Sequence, residues 1–300
     1  MTTPRITPPR LPVRLLTLLL VTLMLSGCTV KLAYHFLDWG LQYKLNHYLS
    51  LNNEQAQQAK LAIKEFHAWH QRHELPRYVE FLKDARSRLA GPALSAEEIG
   101  RYRERIKLFG EQSLDKLLPS ISAVLKSLDT KQKQQLFKTL DEDQKDYEDL
   151  YLKPTLEDIR TSLKNDALKS IKKYMGRLSN QQKERITNWS NTVQPFGAIV
   201  SKEQDGWELL MRQLLDQPNR ADYNAQLKFL LLYDINSWQP EHRSVLEHNQ
   251  NITYQLMADM LNSRSPEQQA SLIEKLDEYI ADCEDLIAQA KEEDSKSLKQ

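Results

Sequence analysis

The chain of 300 residues carries 41 basic and 41 acidic side chains, a formal net charge of zero. Three of the bases, Arg5, Arg10 and Arg14, stand in the first 27 residues without an acid, which leaves 38 against 41 in the rest and no basic stripe for a nucleic-acid partner. Only eight Gly and twelve Pro occur, β-branched runs with period-two alternation are missing, and Gln, Leu, Lys, Glu and Ala dominate, which is the composition of an all-α protein.

The first segment, MTTPRITPPRLPVRLLTLLLVTLMLSGC, pairs a positive start with an apolar run from Leu15 to Leu25 that is short for crossing a bilayer. It ends in Leu25-Ser26-Gly27-Cys28, which resembles the bacterial lipobox. In proteins of that class diacylglycerol is attached to the Cys, the leader is removed ahead of it, and the new amine is acylated. The resemblance implies a cleaved signal peptide over residues 1–27, lipidation at Cys28, and membrane attachment through the N-terminal lipid. Each buried CH₂ contributes about 0.8 kcal/mol, so several chains hold where one does not. Thr29 stands where enterobacterial lipoproteins retained at the inner membrane commonly carry Asp, so the resemblance points to the outer membrane, with the body facing the periplasm. A lipidated Cys28 leaves Cys283 without an intrachain partner, and its helical setting, YIADCEDLI, predicts a buried, inert thiol.

Beyond Cys28 the helix signals run almost without interruption. Tyr34, Leu37, Leu41, Leu45 and Tyr48 fall at three- and four-residue steps on one face of a first helix. A second begins at Asn52 and carries Ala59, Leu61, Ile63 and Phe66; Pro76 is expected to break or kink it before Gly91-Pro92 ends it. A third covers Ser95 to about Leu118, punctuated by Pro119. Asp129–Tyr151 and Pro154–Met175 follow, the latter ended by Gly176, then Ser179–Val193. Trp207–Leu215, Ala221–Ile235, Pro240–Leu261 and a last helix from Ser265 to about Ala290 complete the series. No Gly-, Ser- or Pro-rich linker divides them. Residues 28–290 therefore read as one all-helical array of hairpins, with two lobes meeting near residue 195 as a variant, and residues 291–300 as a frayed polar tail.

One short pattern recurs at helix starts. Asn52, Ser95, Asp129, Ser179 and Ser265 stand as N-caps, with Gln55, Glu98, Gln132, Gln182 and Gln268 three residues on. That is a capping box, in which the cap side chain accepts from the N3 amide and the N3 side chain accepts from the cap amide. Pro266 falls at N1, where a missing N–H costs nothing. Ala59, Tyr102, Leu136, Ile186 and Leu272 lie two turns in and are expected to face the core.

The stretches LAYHFLDWGLQYKLNHYLSLNNEQ, FHAWHQRHELPRYVEFLKDARSRLAG and LSAEE resemble a family of proteobacterial lipoproteins of unknown function. Its marks are a lipobox, a Tyr/Trp-rich first helix, Trp-His followed by Leu-Pro-x-Tyr, and Leu-Thr-Pro-Glu-Gln-like helix starts. Here these are Cys28, Tyr34 to Trp39, Trp69-His70, and Leu75-Pro76-Arg77-Tyr78 with the five boxes. The likeness implies an address and a helical fold, and no activity. A weaker similarity, of skeleton only, links the boxes to periplasmic chaperones with Leu-Thr-x-x-Gln motifs; no copy here has Thr in second place.

Chemistry is sparse. FHAWHQRHE puts His67, His70 and Glu74 at helical spacing, but a metal site needs three or four converging ligands, and the pattern reads as helix-surface or core-edge histidines. Asp141, Asp143 and Glu148 read as a solvated face, without the glycine turn of a calcium loop. Tyr34, Phe36, Trp39, Tyr43 and Tyr48 are expected to build the core between the first helices, the alternative being a seat in the headgroup region. No catalytic residue, metal, cofactor or small-molecule substrate is assigned. The reading is a lipid-anchored, periplasm-facing protein that binds an envelope partner, with a chaperone-like binder of unfolded envelope proteins as the alternative and an enzyme with a site assembled from dispersed residues as the least favoured.

Overall fold

The structure is a computed structural model describing residues 31, 34 and 36–297; the leader and Cys28 lie outside the described residues. Ten α-helices and one 3₁₀ turn, and no strand, occur among them. They are α1 (Leu37–Leu49), α2 (Asn53–Leu89), α3 (Ala96–Lys126), α4 (Thr130–Tyr151), α5 (Leu156–Met175), α6 (Asn180–Thr192), α7 (Gly197–Leu215), α8 (Tyr223–Leu232), α9 (Pro240–Asn262) and α10 (Pro266–Ser297), with the turn at Ile235–Ser237.

All five expected capping boxes form. Asn52, Ser95, Asp129 and Ser179 each accept from the N3 amide while the N3 side chain accepts from the cap amide. Ser265 and Gln268 make the same two bonds at the head of α10. A sixth box, Thr155 with Asp158, starts α5 one residue after Pro154. Each cap contributes about 1 kcal/mol to its helix.

Neither internal proline ends its helix. α2 passes Pro76 and α3 passes Pro119 without a break in the helical run. Pro removes one i→i−4 donor, but long helices packed on both sides keep their remaining bonds and burial. Around Pro76 that burial is dense: Glu74, Leu75, Tyr78 and Val79 are all buried. α7 begins at Gly197, ten residues before the Trp207 that marked it in the sequence. There the bare Cα allows the Tyr151 carbonyl to approach; a Cβ at 197 would sit 2.3 Å from that oxygen. α10 extends to Ser297, into the segment expected to fray.

The first four helices and a second set, α5, α6, α9 and α10, repeat one arrangement. Within each set the first helix packs on the second and fourth, and the second packs on the third. α7 and α8 are additions between α6 and α9 and pack on α4 and α3 respectively. The sets join chiefly through α2 against α10, the most extensive helix pair, with α3 against α9. α2 and α10 run antiparallel: Gln71 Nε2 donates to the Leu286 carbonyl (2.6 Å), Lys83 pairs with Glu284 (2.6 Å) and Arg86 with Asp277 (2.5 Å).

Burial follows the helical period. Ala59, Leu136 and Ile186 are buried, and Tyr102 and Leu272 half-buried, two turns after their caps. Leu61 of α2 is 59% exposed. It lies two residues, some 200°, from the Ala59 and Ile63 stripe, so it points away from the core.

Candidate functional site

The aromatic residues after the leader divide between two sides of α1 and the residues that lead into it, Phe36 being its N-cap. Tyr34 and Leu37 are buried against Leu75, Tyr78 and Leu82 of α2 and Ile280 and Leu286 of α10. Leu45, Tyr48 and Leu49 pack further along, against the cluster built on α4, α7 and α8. Phe36, Trp39 and Tyr43 face outward at 54%, 67% and 56% exposure. The expectation that all five aromatics form core therefore holds for Tyr34 and Tyr48 and fails for these three. Steps of three and four put them on the face opposite Leu37, Leu41 and Leu45. Trp39 and Tyr43 stack with ring centroids 5.7 Å apart, so the patch is continuous. Further along the same face stand Asn46, His47 and Ser50, all exposed and polar.

A buried polar chain fixes that orientation. Tyr34 Oη lies 3.1 Å from His70 Nδ1, and His70 Nε2 lies 3.1 Å from Tyr78 Oη. Tyr34 also donates to the His67 carbonyl at 3.4 Å, so it accepts from His70 Nδ1–H, and Tyr78 donates to the bare Nε2. The imidazole is neutral in this arrangement. Burial first, and then the neighbouring His67, push its pKa down to about 4. Burial raises the hydroxyl pKa values of Tyr34 and Tyr78. Asp38 of α1 meets His67 Nδ1 at 2.8 Å, and Lys31 is held by Asp285 and Asp282.

These contacts tie the histidine cluster into the fold. His70 spends both nitrogens on tyrosines, His67 turns to Asp38, and Glu74, 2% exposed, pairs with Arg77 at 3.0 Å. No group of three His, Cys, Asp or Glu suited to a metal occurs among the described residues. Asp143 accepts from Tyr48, while Asp141 is exposed and Glu148 half-exposed along α4. Cys283 is fully buried beside Tyr34 and Tyr78, and burial pushes its thiol up to about 12.

Two further features were not visible in the sequence. Glu203 of α7 accepts from Tyr233 Oη (3.2 Å) and meets His242 Nδ1 (2.6 Å). The three residues come from three elements, and Tyr233 ends α8 at a positive φ of 22°. An apolar cavity of about 280 Å³ opens where the two four-helix sets meet, lined by Leu89, Leu94 and Ile99 of the first and Leu261, Leu272 and Leu276 of the second. Tyr102, Tyr174 and Tyr279 also line it, and Arg88 and Lys275 contribute to its wall. Both cations are engaged, Arg88 with Glu98 (2.8 Å) and Lys275 with Glu278 (2.7 Å).

Residues 47–243 match a family described as a family of unknown function (DUF6279), and since that is about two thirds of the sequence, the chain belongs to it. No curated protein and no solved structure matches the chain.

Proposed function

We propose that this member of an uncharacterised family is an envelope lipoprotein, anchored through Cys28 with its helical body in the periplasm at the outer membrane, that works by binding another envelope protein. The lipobox-like Leu25-Ser26-Gly27-Cys28 supports the address. The apolar cavity between the two helical sets carries the binding reading. At about 280 Å³ it is below the usual range for a substrate pocket and suited to one large apolar side chain of a partner. The proposal assigns no reaction to the chain.

A photo-crosslinking residue at Lys275, on the cavity wall, tests it in intact cells. One dominant protein adduct, lost when Leu276→Trp fills the cavity, is the expected result. Adducts only to abundant envelope proteins, or capture indifferent to the filled cavity, count against it.

The second reading is a chaperone-like binder of unfolded envelope proteins. It draws on the Leu-x-x-x-Gln skeleton and on Leu61, Leu108 and Leu209, exposed at 59%, 51% and 57%. These lie on three separate helices, α2, α3 and α7, and scattered exposed leucines are ordinary. Failure of substoichiometric protein to slow aggregation of a denatured client would remove this reading.

A further inference from the structure

We infer that the Phe36–Trp39–Tyr43 face of α1 is a second membrane contact, seated in the headgroup region of the bilayer to which the chain is anchored. This goes beyond the binding role and rests on the lipid-anchor reading for its location.

Three observations converge. The patch is made of large rings at more than half exposure, two of them stacked, which is unlike single exposed leucines. It cannot turn inward, because the opposite side of the segment is tied down by Tyr34 to His70, by Asp38 to His67, and by buried Leu37. Its composition is graded: aromatic at the end nearer Cys28, then Asn46, His47 and Ser50. A helix meeting a membrane by its first two turns needs that gradient.

Chain length selects the occupant. Phe36 follows Cys28 by eight residues, a reach of at most about 29 Å when fully extended. An acylated Cys28 thus keeps the patch within one bilayer thickness of the surface, about 40–45 Å with headgroups. Trp and Tyr, with an apolar ring and a polar handle, are the side chains that settle at that interface. Three side chains are small for a stable dimer, which buries about 1,200 Å² or more. Lys31, in the same segment, is already held by Asp282 and Asp285, so ring burial rather than attraction to anionic lipid supplies the contact.

The test uses the mature protein extracted from membranes and reconstituted into phosphatidylcholine vesicles whose acyl chains are brominated near the headgroup. Tryptophan emission should show a quenched component that is lost in Trp39→Phe, with helicity unchanged by circular dichroism. Bromine placed deep in the chains should quench it less. Equal quenching of the parent and Trp39→Phe would overturn the inference, as would unquenched Trp39 emission together with a crosslinked dimer through Tyr43. Intact mass reports acylation separately. An acylated protein with no Trp39 quenching sinks the face and spares the anchor. An unacylated protein whose Trp39 is still quenched on added vesicles sinks the anchor and spares the face.

Discussion

Gln55 and Gln132 donate to each other: Gln55 Nε2 reaches Gln132 Oε1 at 3.1 Å, and Gln132 Nε2 reaches Gln55 Oε1 at 2.6 Å. Each is the N3 residue of its own capping box, so each oxygen also accepts from its own cap amide. The remaining N–H groups go to Ser127 O and Ser50 O, each two residues ahead of the partner's cap. Gln182 and Gln268 repeat the pattern, pairing at 2.9 and 3.0 Å and donating to Ser263 O and Arg177 O. All four amides are buried, and all their donors and acceptors are used. The capping boxes therefore also clamp helix starts together, α2 with α4 and α6 with α10.

Breaking one clamp should cost more than breaking a lone box. Gln182→Ala removes a box and leaves Gln268 with buried unpaired groups, so a loss of about 2–3 kcal/mol is expected. Glu98→Ala, at a box that faces no second box and meets only the part-exposed Arg88, should cost about 1 kcal/mol. The double variant Gln182→Ala/Gln268→Ala should show a coupling of about 1 kcal/mol or more in urea unfolding. Additive losses would mean that the amides do not act as a pair.

An acid in the clamp should be worse than an alanine. Gln132→Glu would turn a carboxylate toward the Ser50 and Gln55 oxygens that now accept from the amide. A lower melting temperature than Gln132→Ala at pH 7, with the gap narrowing as pH falls toward the carboxyl range, is expected. The reverse order would show that the amide hydrogens matter little.

Much of this is legible in the sequence. The boxes are local, so Asn52, Ser95, Asp129, Ser179 and Ser265 could be placed from spacing alone. Which boxes meet depends on how distant turns pack, and no spacing states it. A signal was nonetheless present at N3. The four clamped boxes carry Gln, whereas Glu98, which has no facing box, is met by Arg88 at 2.8 Å, and Asp158 is exposed. Gln is required where the side chain must donate as well as accept. Helical phase separates the aromatic residues of this segment: Phe36, Trp39 and Tyr43 are off the Leu37–Leu41–Leu45 stripe, whereas Tyr48 adjoins it. Glu203, His242 and Tyr233 left no sequence signature, since their meeting depends on the packing of three elements.

Acid should loosen the anchor of α1 before the carboxylates titrate. His70 has its folded pKa pushed down to about 4 from 6.5, so the unfolded chain binds the extra proton between those values. The stability from neutral His70 is present above pH 6.5 and is lost as pH falls toward 4, by about 2 kcal/mol at pH 5. His70→Gln should flatten stability between pH 6.5 and 5, though its stability at pH 7 is lower. An unchanged slope in the variant would assign the acid response elsewhere.

Cys283 should resist alkylation in the folded protein. Its thiol is fully buried and held mostly protonated by burial, and both slow attack. Iodoacetamide labelling should track global unfolding in urea. Rapid labelling in native buffer would contradict the packing between α2 and α10.

Two glycines should respond in opposite directions to alanine. Gly197→Ala places a methyl against the Tyr151 carbonyl and should cost about 1–3 kcal/mol. Gly40→Ala meets nothing within 4 Å and lies within α1, so it should stabilise by up to about 1 kcal/mol. Thermal melts of the two variants read both; equal effects would argue against the close approach at the start of α7.

The most direct measurement is the intact mass of the protein extracted from a bacterial envelope after expression with its own leader. The account predicts a chain beginning at Cys28, shorter by 27 residues, whose first peptide carries a diacylglycerol and one further acyl chain. A chain that keeps its leader, or one that is cut but carries an unmodified Cys28, would contradict it.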